Sequence, residues 1–194
     1  MLHIFGVGED LGEQFKTEGD GMKEYQVGAY VMHETAGVCQ VTEISERALQ
    51  GKGSEKMYYS LEPVFQRGSC VITPVEAATG KARIRDVKPR EEIEGIMANL
   101  TDIPVIEETD DHLRAERIKE EVARFEPSAL ACVVKTAFLR KEFRIANGKK
   151  VMSADEKILQ SVGKKLFQEM AFALEIKPDA AEQMFYDGLK EIHV

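Results

Sequence analysis

The spacing of apolar residues divides the chain into two halves. From Tyr25 to about Asp86, apolar and polar residues alternate in short runs that turn residues separate, a pattern typical of half-buried β-strands. After Pro89 the apolar residues recur every three or four positions, which is typical of helices with one buried face. The sequence therefore predicts an α+β protein in which the strands come first.

Five short strands are predicted in the first half, at residues 27–33, 37–44, 57–61, 70–73 and 82–85. They are rich in Val, Ile, Thr and Tyr, and glycines lie at the turns between them. A flat open sheet of this size buries too little apolar surface, so we expect a small, strongly bent antiparallel sheet or barrel. Such a module is more typical of a binding platform than of an enzyme.

The second half is predicted to be an all-α helical bundle with short connections. One clear apolar stripe runs through Leu130, Val134 and Phe138 and continues until Asn147-Gly148, a pair suited to a left-handed helix end. The next helix is predicted to begin at a capping box formed by Ser153 and Glu156.

Charge is unevenly distributed along this acidic chain, whose formal net charge is −8. Residues 91–126 hold twelve acids and four bases, whereas residues 135–165 hold nine bases and three acids. The basic segment includes RKEFRIANGKK at 140–150, which has five bases and one acid. A cluster of this kind produces a local positive field even in an acidic molecule.

Six basic residues gather near the predicted bend between two helices: Arg140, Lys141, Arg144, Lys149, Lys150 and Lys157. Together with the amides at the start of the following helix, they are suited to binding the phosphates of a nucleic acid. Alternatively, the bases on the first helix only interact with the negative end of its dipole, worth about 0.3–1 kcal/mol each. Both interpretations stay open on these residues alone.

Several classes of protein are disfavoured. No apolar run reaches the length of a membrane span and the N-terminus lacks the pattern of a secretion signal, so a cytoplasmic protein without a membrane partner is expected. The three cysteines are expected to be reduced, although a bond between Cys39 and Cys70 remains an alternative. Residues 1–21, acidic and rich in glycine, are expected to be a poorly ordered leader or extension.

Catalytic motifs are missing from the sequence. The four histidines have no metal-ligand spacing, and there is no phosphate loop, nucleophile elbow or dinucleotide fingerprint. His33, at a strand end, is expected to be a surface or interface residue. The sequence therefore predicts no enzyme, no catalytic residue, no metal, no cofactor and no small-molecule substrate.

Several segments, in order, resemble the CarD family of bacterial transcription regulators. In the first half these are MKEYQVGAYVMH at 22–33, GVCQVTEI at 37–44, YYSL at 58–61 and TPV at 73–75. In the second half they are VVKT at 133–136, LRK at 139–141, GKKV at 148–151 and SADEK at 153–157. The likeness extends over about residues 22–190.

The resemblance implies a small Tudor- or SH3-like antiparallel β-barrel at residues 22–88 that binds the RNA polymerase β subunit. It also implies that the helical domain, at residues 89–194, contacts promoter DNA near the transcription bubble. Arg47 and Leu49 match positions of the family's polymerase-binding surface, and Lys157 matches a basic position of its DNA-binding domain. The other five bases near the bend are candidates from charge clustering alone.

One feature departs from the family. Many members place a tryptophan before the second helix of the helical domain, where it can wedge into a distorted minor groove. This chain has no tryptophan, and His112 or Leu113 is the candidate wedge in an acidic segment. We predict a non-enzymatic regulator that binds polymerase and DNA; the alternative is a protein-only adaptor or dimerisation module that does not bind DNA.

Overall fold

A computed structural model describes residues 24–49, 51, 53–76 and 83–192, so the predicted leader at residues 1–21 lies outside the described part. Residues 24–88 form a β-rich unit, here called the β module. Residues 89–192 form a helical unit, here called the helical module.

The β module is a five-stranded antiparallel sheet. The strands β1 to β5 are Tyr30–His33, Gly37–Arg47, Lys56–Pro63, Val71–Pro74 and Ile84–Asp86. They lie side by side in the order β4-β3-β2-β1-β5. The predicted small antiparallel β domain is confirmed.

The sheet bends around a small apolar core. The pairing of β2 with β3 shifts by one residue between Val41 and Glu43, and such a bulge bends and twists a strand. The long β2 pairs with β1 through residues 37–40 and with β3 through residues 39–47. The core formed in this way contains Val31, Cys39, Val41, Tyr59 and Leu61.

All three cysteines are free, so Cys39 and Cys70 are not bonded to each other. Cys39 and Cys132 are buried, whereas Cys70 is exposed. Burial raises the pKa of the Cys39 thiol to about 12, which keeps this thiol protonated at neutral pH.

The prediction that His33 is a surface or interface residue is wrong, because this side chain is only 2% exposed. β1 is buried on both sides: Val31 packs in the β-module core, and Met32 packs in a cluster with Phe125 of the helical module. The Nδ1 atom of His33 accepts hydrogen bonds from the amides of Thr35 and Ala36. Nε2 therefore carries the proton and lies 3.1 Å from Thr73 Oγ1.

The helical module contains α1 (Arg90–Ala98), α2 (Asp111–Arg124), α3 (Pro127–Ala146), α4 (Ser153–Ile158), α5 (Lys164–Leu174) and α6 (Pro178–Ile192). A π-helical turn, Leu159–Gly163, joins α4 to α5 without a break. The predicted stripe of α3 is buried as expected, and it packs against Leu166, Met170, Phe185 and Leu189 of the later helices. The predicted helical second half is confirmed.

The predicted capping box at Ser153 is wrong. The residue that precedes α4 is Met152, and Ser153 already lies within the first turn without a side-chain capping bond. The Glu156 amide instead bonds to the Met152 carbonyl. By contrast, the predicted left-handed end of α3 is confirmed, since Gly148 has a φ of 63°.

The two modules are packed together along β1, β5 and α5. Met32 and Val38 of the β module form an apolar cluster with Phe125, and Phe172 packs against this cluster. The rings of Tyr30 and Phe172 have their centroids 4.8 Å apart. Polar contacts also cross the junction, among them a buried ion pair between Arg85 and Glu169 and a bond from Lys165 Nζ to the Glu34 carbonyl.

Candidate functional surfaces

Arg47 lies at the end of β2 on the side of the sheet opposite the β-module core. Its Nη2 donates to Glu43 Oε2 and to Ser60 Oγ, both at 2.9 Å, and its Nε donates to Ser45 Oγ at 3.1 Å. Glu43 and Ser60 are direct cross-strand partners, which explains how one guanidinium reaches both. The three bonds hold the Arg47 side chain along the sheet.

Leu49 lies two residues beyond β2 and is 57% exposed. An exposed leucine beside an oriented guanidinium combines an apolar contact with a charged one. Such pairs are suited to protein recognition, because interfaces are enriched in arginine and need apolar area at their core. Arg47 and Leu49 thus both lie at the end of β2, separated by Ala48 alone.

The edge of the sheet at β4 offers a second means of recognition. Within the part of the chain that the structure describes, β4 pairs with β3 alone. Its outward side therefore presents backbone amides and carbonyls to which a partner strand can bond. Ile72, in this strand, is exposed.

The six predicted basic residues lie around the turn between α3 and α4; we call residues 140–157 the basic hairpin. The turn is closed by bonds from the Gly148 amide to the Ile145 carbonyl and from the Lys149 amide to the Arg144 carbonyl, a helix end typical of a left-handed glycine. The chain thus reverses directly after α3, as predicted.

Two of the six basic residues have structural partners inside the basic hairpin. Arg140 Nε lies 3.3 Å from the buried carboxylate of Asp155, and this pair joins α3 to α4. Arg144 Nε donates to the Lys150 carbonyl at 2.7 Å and so fixes the returning chain beside α3. Both arginines therefore shape the basic hairpin.

The other four basic residues remain available for a ligand. Lys149, Lys150 and Lys157 are exposed, and none of the ion pairs among the described residues includes them or Lys141. The start of α4 is less favourable to phosphate than predicted, because its first turn carries Asp155 and Glu156. The lysines thus provide the positive charge of this surface.

Lys141 lies at a cavity of about 500 Å³ between the two modules. Aromatic rings of α3, α5 and α6 line its wall, with the Phe138 and Tyr186 rings stacked at 4.7 Å and Phe65 contributed by the β module. Lys164, Asp179 and Glu182 also line it, so positive and negative charges are mixed there. This mixture favours no single class of charged ligand.

The two candidate wedge residues, His112 and Leu113, lie in the first turn of α2 and are exposed. Asp110 caps this helix by accepting bonds from both of their amides at 2.9 Å. The buried Arg114 donates to the carbonyls of Glu108 and Thr109, which fixes the segment before the helix. These bonds hold the helix turn that carries His112 and Leu113 in place, and acidic residues surround this turn.

Sequence reasoning missed two exposed apolar residues in the basic hairpin, Phe143 and Ile145. Both lie beyond Phe138, the last buried residue of α3. The exposure of Phe143 could have been predicted from the sequence, because Phe143 does not lie on the apolar stripe that faces the core.

Two further classes of site are not found. Within residues 24–49, 51, 53–76 and 83–192, no group of three or more His, Cys, Asp and Glu side chains is placed to hold a metal ion. Among the same described residues, no helix is both long enough and apolar enough to cross a membrane.

Comparison with protein families decides the nature of the β module. Residues 25–88 match the family model of the CarD-like/TRCF RID domain. The β module is a CarD-like RID domain. Over these residues the match confirms the resemblance to the CarD family, and it indicates a transcription-related protein with an RNA polymerase-interacting domain. No curated protein matches the chain significantly.

Proposed function

We propose that the protein is a cytoplasmic transcription regulator that binds the RNA polymerase β subunit and promoter DNA near the transcription bubble. The β module would bind the polymerase, and the helical module would contact the DNA. The observation that carries the proposal is the match of residues 25–88 to a CarD-like RID domain. The proposed role is one of binding, without a catalytic step, cofactor or small-molecule substrate.

For the polymerase contact we propose Arg47 and Leu49. Their support is the oriented guanidinium and the exposed leucine described above, which lie at the same end of β2. The edge of β4 that pairs with no other described strand supports a contact in which a strand of the partner extends the sheet.

For the DNA contact we propose the lysines of the basic hairpin: Lys141, Lys149, Lys150 and Lys157. We further propose that Arg140 and Arg144 act by holding the basic hairpin in shape, since both already bond within it. Lysines bind phosphates as point charges without reading sequence, so this contact would position the protein on DNA. Under this proposal His112 and Leu113 contribute little, because the acids around them repel phosphate.

The polymerase contact is tested by co-purification of the full chain with the isolated β subunit. Arg47→Ala combined with Leu49→Ala is expected to abolish recovery, because the variant lacks both the charged and the apolar contact. The matched control combines Arg117→Ala with Leu113→Ala, which removes an exposed arginine and an exposed leucine from α2. Unchanged recovery of the Arg47/Leu49 variant would overturn this surface.

The DNA contact is tested by measuring affinity for promoter DNA as a function of salt concentration. Each phosphate that a protein neutralises contributes about −0.9 to the slope of log K against log salt. Lys149→Gln plus Lys150→Gln should therefore flatten the slope by roughly 2 if each lysine neutralises one phosphate. The control is Lys119→Gln, an exposed lysine on the acidic α2. If the wild-type protein shows no salt-dependent DNA binding, the protein-only adaptor takes the place of this proposal.

A further inference from the structure

The last two turns of α3 extend beyond the core of the helical module. The buried residues of α3 end at Phe138, whereas α3 itself continues to Ala146. Phe143 is 65% exposed, the largest exposed fraction among the large apolar side chains that the structure describes. An exposed aromatic ring on a projecting helix end is free to meet a ligand.

The residues around Phe143 are held in place by the turn that follows α3. Asn147 Nδ2 donates to the Phe143 carbonyl at 2.7 Å, and the Lys149 amide donates to the carbonyl of Arg144 at 2.8 Å. The bond from Arg144 to the Lys150 carbonyl brings the returning chain alongside the same helical turn. The backbone of Lys149 and Lys150 therefore lies beside the turn of α3 that carries Phe143, although six residues lie between Phe143 and Lys150 in the sequence.

Charge distinguishes Phe143 from Leu113, the exposed apolar residue that is the candidate wedge in α2. Leu113 is 55% exposed but lies next to Asp110 and Asp111, and Glu116 is one turn further along α2. A polyanion approaching Leu113 would be repelled, whereas one approaching Phe143 would be attracted by the neighbouring lysines. Phe143 and Leu113 are therefore similarly exposed, but only the surroundings of Phe143 favour contact with a polyanion.

We propose that Phe143 is a stacking platform for an unpaired base of a nucleic acid strand whose phosphates the basic hairpin neutralises. An aromatic ring within a positively charged surface is the combination that binds single strands, because every base offers a face on which to stack. The inference rests on the proposed DNA contact and adds a preference for unpaired over paired DNA. It assigns to Phe143 a task that the acidic segment at His112 and Leu113 is poorly placed to perform.

The first experiment compares three DNA probes of equal length: a full duplex, the same duplex with a central mismatched bubble, and one of its strands. The wild-type protein should bind the bubble and the single strand more tightly than the duplex. Phe143→Ala should weaken binding to the bubble and the single strand by roughly tenfold, since stacking on an aromatic is lost, and leave duplex binding nearly unchanged. Leu113→Ala, the matched control, should alter none of the three affinities.

The second experiment uses the absence of tryptophan from the sequence. Phe143→Trp places a single fluorophore at the proposed platform, and Leu113→Trp places one at the control position. On addition of the bubble probe, the fluorescence at position 143 should be quenched and shielded from iodide, whereas the fluorescence at position 113 should not change. Both positions are exposed, so both variants are expected to fold, and circular dichroism verifies this.

The outcomes separate the inference from the function on which it rests. If the wild-type protein binds no DNA probe, both are overturned. If it binds DNA but Phe143→Ala weakens all three probes equally or none of them, the stacking platform is overturned and the DNA contact stands. Binding to vesicles of anionic lipid that depends on Phe143, without any effect on the DNA probes, would also overturn the inference, because a basic apolar surface can bind such lipids.

Discussion

Arg85 and Glu169 form a two-pronged ion pair across the junction between the β module and the helical module. Nη2 of the arginine lies 2.7 Å from Oε2 of the glutamate, Nη1 lies 2.5 Å from Oε1, and the glutamate is fully buried. The Lys88 amide also donates to Glu169, and the Arg85 guanidinium lies over the ring of Phe125. The carboxylate thus receives three hydrogen bonds, so its burial is compensated.

Loss of one partner of this pair should destabilise the protein strongly. Arg85→Ala leaves the Glu169 carboxylate buried without its counter-ion, which typically costs about 3–5 kcal/mol. Urea unfolding followed by circular dichroism measures the change. In the control, Arg90→Ala removes an exposed pair with Glu94 and should have little effect. Equal effects of the two substitutions would show that the junction contributes little to stability.

A second buried charge stabilises the helical module from within. Lys135 of α3 donates to the carbonyls of Leu100, Thr101 and Ile103, the segment that follows α1, at 2.7–3.1 Å. Lys135→Met should lower the free energy of unfolding by about 2–3 kcal/mol, because these carbonyls lose their donor. Thermal unfolding tests this, with Lys119→Met on the surface of α2 as the control. A stability equal to that of the wild type would contradict it.

The stability of the protein should fall in mild acid because of His33. Burial lowers the pKa of the His33 imidazole below its ordinary value, and Nδ1 already accepts two backbone amides, so the folded state resists protonation. Below about pH 6.5 the unfolded state therefore binds the extra proton first, and stability decreases as the pH falls towards the lowered folded pKa. The loss is at most about 1.4 kcal/mol per pH unit from this group.

The pH effect is measured as the free energy of unfolding between pH 5 and 8 in the wild type and in His33→Gln. The variant should be less stable at pH 8, since glutamine does not reproduce the bonds of the imidazole, but its stability should change less with pH. Parallel pH profiles would show that other groups cause the effect.

The arginines and lysines of the basic hairpin should respond differently to substitution. Arg140→Ala leaves the buried Asp155 unpaired, so it should lower the melting temperature. Lys149→Gln should leave the melting temperature unchanged and weaken DNA binding in a salt-dependent manner. Differential scanning calorimetry and DNA titration on the same two variants check both halves of the prediction. A lower melting temperature for Lys149→Gln but not for Arg140→Ala would contradict the assignment of a structural role to Arg140 and a DNA-binding role to Lys149.

Local pattern was sufficient to predict most elements of the fold. The strands could be located because short runs of β-branched and aromatic residues are separated by turn residues, and α3 because its apolar residues share one side. The end of α3 at Asn147-Gly148 could be predicted because few residue types adopt a left-handed conformation there. The family resemblance then gave the type of domain, which the match of residues 25–88 confirms.

Features that depend on the packing of distant segments could not be predicted. The partners Arg85 and Glu169 are 84 residues apart, and nothing in the sequence indicates that they meet. His33 was assigned to the surface or to an interface because the sequence gives no sign that its ring meets Thr73, 40 residues away. Arg140 was counted among the DNA-binding residues because its partner Asp155 lies beyond a turn of unknown geometry. In each case tertiary contact changes the role of a charged or polar residue.

Because α3 is long, the rigidity of the junction between the two modules affects the position of its far end. With twenty residues, α3 is about 30 Å long, and Phe143 lies near its far end, whereas the helix begins at Pro127, two residues after Phe125 of the junction. A tilt of the helical module by about 2° about the junction would displace a point one α3 length away by about 1 Å. When the β module is bound to a partner, the stiffness of this junction determines how precisely Phe143 is positioned relative to that partner.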